Sequence, residues 1–309
     1  MRNAFAAVIT DLAATDERIV LLSGDIGNRL FDRYRERFPS RFYNCGVAEQ
    51  NMTGMAAGLA LSGLRPFTYT ITPFATTRVI EQIRVDICYH NAPVVIVGTG
   101  SGLSYASLGP THHSCEDVGI LRTFPNLTVL CPADAMEVGP AMTAALALPG
   151  PVYIRLGKKG EPTIHAKPPQ IEIGRGLVMR EGTDVCLLGM GTMTATALEA
   201  TKLLQGHGIS AGVVSMHTVK PLDEALLRES FERFRLVAVI EEHSVIGGLG
   251  IAVAEWLAAH GPKRGVLEAI GTPDAFISAA GSQRWMREQC GLTPQAVADR
   301  IARRFRALR

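Results

Sequence analysis

Glu49 stands where the chain passes from a strand into a helix. Arg41-Phe-Tyr-Asn-Cys reads as a short buried strand, and Gly46 allows a tight turn. From Val47 the pattern is helical, with Gly54, Ala56, Ala57 and Gly58 packing small residues along it. The helix dipole favours a carboxylate in a first turn, so an ordinary N-terminal helix acid is one reading. The loop Gly109-Pro-Thr-His-His-Ser carries the second group able to do chemistry. A loop histidine changes charge near neutral pH and can transfer a proton, although a solvated surface histidine fits the same pattern.

These residues need a scaffold, and the apolar pattern supplies one. Strands are expected over Arg18–Ser23, Arg41–Cys45, Pro66–Ile71, Pro93–Gly98, Leu127–Leu130 and Val152–Leu156. Between them lie helical stretches near Asn3–Ala14, Leu30–Phe38, Ala48–Ser62, Thr76–His90, Cys115–Phe124 and Asp134–Leu148. Continuous apolar strands such as Val94-Val-Ile-Val97 suit a parallel sheet covered on both faces. The fold class is α/β, with two doubly wound domains. The first domain spans 1–160, a Pro- and Gly-containing polar linker 161–178, and the second domain 179–309. In the second half, strands are expected at Asp184–Gly189, Ala211–Ser215, Leu236–Glu241 and Gly265–Ala269. Its helices are expected from the cap at Gly191-Thr to Leu204, and near Asp223–Arg233, Leu249–Ala259 and Pro294–Ala307. Ligand sites in such sheets lie outside the carboxyl ends of the strands, where Glu49 and the His112 loop fall.

Of 309 residues, 47% are hydrophobic and 19% charged, enough to bury large cores in about two domains. A net charge of +2 gives no reason to expect nucleic acid or an anionic membrane as partner, and no apolar run is long enough to span a bilayer. The N-terminus lacks a secretory layout. Cys45, Cys88, Cys115, Cys131, Cys186 and Cys290 show no CxxC spacing, which suggests reduced, mainly structural thiols in a cytoplasmic protein and no structural zinc.

The run Gly46-Val-Ala-Glu-Gln-Asn-Met, followed by Gly54-Met-Ala-Ala-Gly-Leu-Ala-Leu, Gly63-Leu-Arg-Pro-Phe67 and Pro73-Phe74, resembles the pyrimidine-binding domain of transketolases and 1-deoxyxylulose-5-phosphate synthases. Gly109-Pro-Thr-His112 and Pro132-Ala-Asp134 extend the resemblance. Val219-Lys-Pro-Leu-Asp, Glu241-Glu-His-Ser, Gly247-Gly-Leu-Gly and Ile270-Gly-Thr-Pro-Asp-Ala-Phe resemble the transketolase C-terminal domain, which supports dimer assembly. The resemblance covers nearly the whole chain and implies thiamine diphosphate as cofactor. Glu49 falls on the glutamate that contacts a pyrimidine ring nitrogen, where a buried carboxyl can exchange a proton with the ring. Phe74 aligns with the aromatic that stacks on the pyrimidine, with Thr77 where a second aromatic often stands. His112, not His113, falls on the histidine that lines the active site. Arg2, Arg155 and Lys158 are the candidate phosphate contacts, Lys158 standing where the family has arginine; solvated surface charge is the plain alternative for each.

Two departures bear on substrate. Gly100 replaces a family histidine and Leu108 a family aspartate, both of which contact substrate hydroxyls; an apolar Leu108 suits a deoxy or modified sugar. The Gly-Asp-Gly motif that binds diphosphate and Mg²⁺ in the family is missing: Gly24-Asp-Ile-Gly-Asn28 is not that motif, and no P-loop is visible. The expected partner is therefore a separate N-terminal-section subunit that supplies the Mg²⁺ ligands, in an α2β2 assembly. The activity implied is transfer of a two-carbon ketol unit from a ketose, with or without phosphate, to an aldehyde or aldose acceptor. A 1-deoxyxylulose-5-phosphate synthase-like or 2-oxo acid dehydrogenase β-type thiamine enzyme is the alternative within the chemistry. A non-catalytic scaffold subunit is the alternative outside it.

Overall fold

The computed structural model describes residues 1–27, 29–261 and 264–308. In the first half, strands form at Ile19–Ser23 (β1), Phe42–Asn44 (β2), Arg65–Ile71 (β3), Val95–Thr99 (β4), Thr128–Leu130 (β5) and Val152–Leu156 (β6). The second half contributes Leu177–Arg180 (β7), Val185–Gly189 (β8), Ala211–Ser215 (β9), Thr218–Lys220 (β10), Leu236–Ser244 (β11) and Val266–Thr272 (β12). They build two mixed, mainly parallel sheets, ordered β10-β5-β6-β4-β3-β1-β2 and β12-β11-β8-β9-β7.

Burial explains why the central strands form where they do. Every residue of β1, β3, β4 and β6 is buried, as expected for strands covered by helices on both faces. Two strands escaped the sequence reading. β10 is only three residues long, yet it adds antiparallel to β5 and so closes the first sheet with residues of the second half. β7 alternates half-buried and exposed, as an antiparallel edge strand does. Residues 157–176 form no helix or strand, and the backbone amides of Ile164 and His165 both donate to Asp134, at 2.8 and 3.0 Å.

One apolar core joins the sheets. Tyr153, Val118 and Leu121 from the first half pack in the same cluster as Leu188, Met216, Leu249 and Trp256 from the second. A shared apolar interface of this kind holds the halves in a fixed relation. All six cysteines are unpaired, four of them buried. Among the described residues no helix is long and apolar enough to cross a membrane.

The helix expected over Thr76–His90 is not continuous. It breaks into a 3₁₀ turn at Thr77–Val79, one α turn at Ile80–Gln82, and a π-helical stretch at Ile83–Tyr89. The β-branched run Thr76, Thr77, Val79, Ile80 crowds a regular helix, and π turns recur at functional sites.

Candidate active site

The helix Glu49–Leu61 starts just beyond the carboxyl ends of β1 and β2, so Glu49 enters the site from its first turn. The side chain is 5% exposed. Gly24, following β1, keeps the backbone close behind it: a Cβ there would stand 2.9 Å from the Thr70 Oγ1 and 3.7 Å from the Glu49 Cγ. The Thr70 and Thr72 hydroxyls are buried without a hydrogen-bond partner, and such orphaned groups at strand ends ask for a ligand or water.

Phe74 follows Pro73 in the one-turn helix Thr72–Ala75. Its ring centroid lies 5.3 Å from the His112 ring, in an edge-on arrangement. Arg78 places its guanidinium carbon over the same ring, 3.9 Å from the centroid. The same guanidinium donates from Nη1 to the Glu49 Oε2 at 3.0 Å. Glu49, Arg78, Phe74 and His112 thus form one continuous wall.

The loop from Gly100 to His113 builds the next part of that wall. Gly109 has φ +77°, and the His112 amide donates to the Gly109 carbonyl at 3.0 Å, so the turn presents His112 inward. Burial first, and the Arg78 charge second, push the His112 pKa below its ordinary value, which keeps the ring neutral near pH 7. Its Nδ1 is 3.0 Å from the Thr111 Oγ1. His113 turns the other way, into a cleft with Cys115, Glu116, Pro273 and Phe276.

Tyr105 occupies the space next to Gly100. Gly100 has φ +79°, and a Cβ there would overlap the Cδ2 and Cε2 of the Tyr105 ring. That ring is 6.1 Å from the His112 ring, and the Lys158 Nζ lies 4.2 Å above its centroid. Burial raises the Tyr105 pKa, while Arg2 pulls it down. Lys158 is depressed by burial and then by the nearby charges of Lys159 and Arg2. Arg2 itself opens the first helix, with its Nε buried and unpartnered. Arg2, Lys158 and Tyr105 therefore cluster at the end of the wall.

Arg155 does not join them. It is 4% exposed, and its guanidinium donates to Asp117 at 2.8 and 3.2 Å and to the carbonyls of Ser114 and Glu242, each at 3.0 Å. With those donors committed in the core, Arg155 is a structural ion pair and not a contact at a channel mouth. Asp117 has lost nearly all hydration, yet Arg155 and the Tyr153 hydroxyl hold its pKa below the usual range.

The second half reaches into the site through Glu242. Its Oε1 accepts the Leu103 amide at 2.6 Å and the Gln283 side-chain amide at 2.9 Å, and Arg287 pairs with the same carboxylate. The base of the Tyr105–His112 loop is therefore pinned by the second half.

Residues 1–162 match the transketolase pyrimidine-binding domain, and residues 174–297 match the transketolase C-terminal domain. This chain belongs to the transketolase family. It is 38% identical over 298 residues to a 6-deoxy-6-sulfo-D-fructose transketolase subunit of Clostridium sp. (strain MSTE9), covering 96% of this chain and 92% of that one. It is 36% identical over 264 residues to one subunit of the apulose-4-phosphate transketolase of Actinobacillus succinogenes, covering 85% of each. Its structure superposes on a split gene transketolase in an inactive β4 tetramer with a TM-score of 0.92 at 39% identity, covering 100% of this chain and 99% of that one.

Transketolases depend on thiamine diphosphate, and the wall fits the pyrimidine half of that cofactor: a buried carboxylate, an aromatic face and orphaned hydroxyls lie together. Among the described residues no group of three or more His, Cys, Asp or Glu could hold a metal ion. Asn28, which closes the Gly24–Asn28 stretch, lies outside the described residues.

The sequence reading missed Arg78, Tyr105 and Glu242. Arg78 gave no periodic signal, because the chain leaves the helical conformation at Thr76, between it and Phe74. Tyr105 had a signal in Gly100, because a glycine where the family resemblance leads one to expect a histidine leaves space for a neighbour. Glu242 lay in the family-like phrase Glu241-Glu-His-Ser, but nothing local pointed to its contact with Leu103, which spans 139 residues of sequence.

Proposed function

We propose that this transketolase chain is the C-terminal subunit of a two-component, thiamine-diphosphate-dependent transketolase. It moves a two-carbon ketol unit from a ketose to an aldehyde acceptor, and it works only with an N-terminal-section subunit, in an α2β2 assembly. The observation that carries the proposal is the alignment of Glu49, Phe74 and His112 in one wall beyond the strand ends.

When bound, the cofactor supplies the carbanion chemistry that breaks and remakes the carbon–carbon bond. Glu49 holds or shares a proton at its carboxyl oxygen against the pyrimidine ring. Phe74 gives the ring an apolar face and excludes water from it. His112, kept neutral chiefly by burial, accepts a proton from a substrate hydroxyl and returns it. Arg2 and Lys158 take the anionic end of the substrate, with Tyr105 between them. The diphosphate and its Mg²⁺ are held by the partner subunit. The subunit names of the relatives and the split-gene structural neighbour support that division.

The test is to co-express the chain with the products of neighbouring genes and purify the complex. It is then assayed with thiamine diphosphate, Mg²⁺ and a panel of ketoses carrying phosphate, sulfonate or neither. Ketol transfer that disappears in Glu49→Gln is the expected result. Full turnover in Glu49→Gln removes the proposal. Pyruvate consumption with carbon dioxide release moves the chain to the deoxyxylulose-phosphate synthase or 2-oxo acid dehydrogenase class. Inactivity with every partner leaves a scaffold.

A further inference from the structure

Arg78 sits at the centre of the wall. It comes from the turn Thr77–Val79, and one side chain reaches two targets. The guanidinium carbon lies 3.9 Å from the Phe74 ring centroid, and Nη1 donates to the Glu49 Oε2 at 3.0 Å. A guanidinium is planar and cationic, with its N–H donors in the plane. An aminopyrimidine is also a planar, nitrogen-rich ring that asks for an aromatic face and a carboxylate. Arg78 therefore makes, with Phe74 and Glu49, the same two kinds of contact that the pyrimidine would make with them.

We propose that Arg78 is a resident competitor for the pyrimidine pocket, which must withdraw from Glu49 and Phe74 for an aminopyrimidine to bind. This rests on the reading of Glu49 and Phe74 given above. Three features make the exchange feasible. The Arg78 side chain is 40% exposed, so water is available to receive its charge and the pair is readily parted. Its backbone lies between two one-turn helices and a π-helical stretch, not within a regular α-helical ladder. The long arginine stem gives the head group room to swing without moving the helix starts that carry Glu49 and Phe74.

The competition has a direction that a pocket-forming role lacks. If Arg78 only completed the pocket, its removal would weaken pyrimidine binding. If it competes, removal strengthens binding. The experiment uses isothermal titration calorimetry on the full-length chain with 4-amino-5-hydroxymethyl-2-methylpyrimidine. The co-purified two-subunit complex is titrated in parallel with thiamine diphosphate and Mg²⁺. Arg78→Ala is expected to bind both probes roughly five- to tenfold more tightly than wild type, the range set by an exposed ion pair together with a cation–π contact. Arg78→Lys, which keeps the charge but loses the planar fork, is expected to fall between the two. Arg78→Ala binding with unchanged or weaker affinity overturns the proposal while leaving the pocket reading intact. Equal binding by wild type and Glu49→Ala overturns the pocket reading and this proposal together, as does absence of binding by every variant. Melting temperatures of the variants check that a change in affinity is not a change in fold.

Discussion

The Tyr105 ring lies where a side chain on Gly100 would have to go. One residue is small so that the other can stand beside His112 and under Lys158. Two costs therefore fall on any replacement of Gly100: a left-handed backbone at φ +79°, roughly 1–2 kcal/mol for a residue with a Cβ, and displacement of the phenol. Gly100→Ala is expected to lower the melting temperature and raise KM for an anionic ketose. Combined with Tyr105→Ala, which carries its own cost for the lost buried ring, the clash disappears, so the double variant should be more stable than the sum of the two single losses. A double-mutant cycle measures this. Strictly additive losses would show that the two residues do not share the space.

Arg155 and Asp117 form a fully buried pair, and removing one partner strands the other. Arg155→Met is expected to cost about 3–5 kcal/mol in chemical denaturation, since Asp117 is left without its cation. Asp117 has a depressed pKa in the folded chain, so its share of the stability is present above the unfolded carboxylate range and is lost as pH falls through the folded value. The variant should accordingly show a shallower acid limb than wild type. An Arg155→Met protein as stable as wild type, with only KM for the phosphate altered, would instead return Arg155 to the substrate channel.

How much of this could be read beforehand depended on the range of the interaction. β1, β3, β4 and β6 announce themselves because each is a run of residues buried on both faces. β10 does not, because its pairing with β5 crosses from one half of the chain to the other. The helix Gln283–Gln289 is polar and short, and it is held in place through contacts such as Gln283 and Arg287 with Glu242. Glu49, Phe74 and His112 were singled out by local phrases that resemble a known family, and the structure brings the three together. Arg155, expected as a phosphate contact, goes elsewhere for the converse reason: nothing local shows that Asp117, 38 residues away, takes its guanidinium in the core.

Glu242 gives the second half a direct role at the site, through the loop it holds. Glu242→Gln keeps the shape but removes the charge that faces Arg287 and the Leu103 amide. Hydrogen exchange of residues 101–113 is expected to rise at least tenfold, while exchange in β8 and β9 stays the same. In the reconstituted complex kcat should fall more than KM rises, because His112 loses its alignment while Arg2 and Lys158 remain in place. Unchanged exchange in the loop would show that the Gly102–Ser114 backbone pairing holds it without help from Glu242.

Glu241 offers a separate reading by pH. It is fully buried, and burial lifts its pKa to about 7 although the amides of Leu249 and Gly250 donate to it at 2.8 and 2.9 Å. A carboxyl raised in the folded state binds a proton that the unfolded chain has released. The folded chain therefore loses stability as pH climbs from the ordinary glutamate value of 4.5 to about 7, by on the order of 3 kcal/mol. His217 works the opposite way in part of that window. Burial lowers it to about 4, so stability gains as pH rises from there toward 6.5. In wild type the two slopes offset each other. Glu241→Gln removes the first and leaves the second, so the variant is expected to grow more stable relative to wild type between pH 5 and 7. Urea melts at half-unit pH steps measure the difference. A difference that is flat with pH would mean that Glu241 is ionised throughout and serves only as a cap for the helix Leu249–His260.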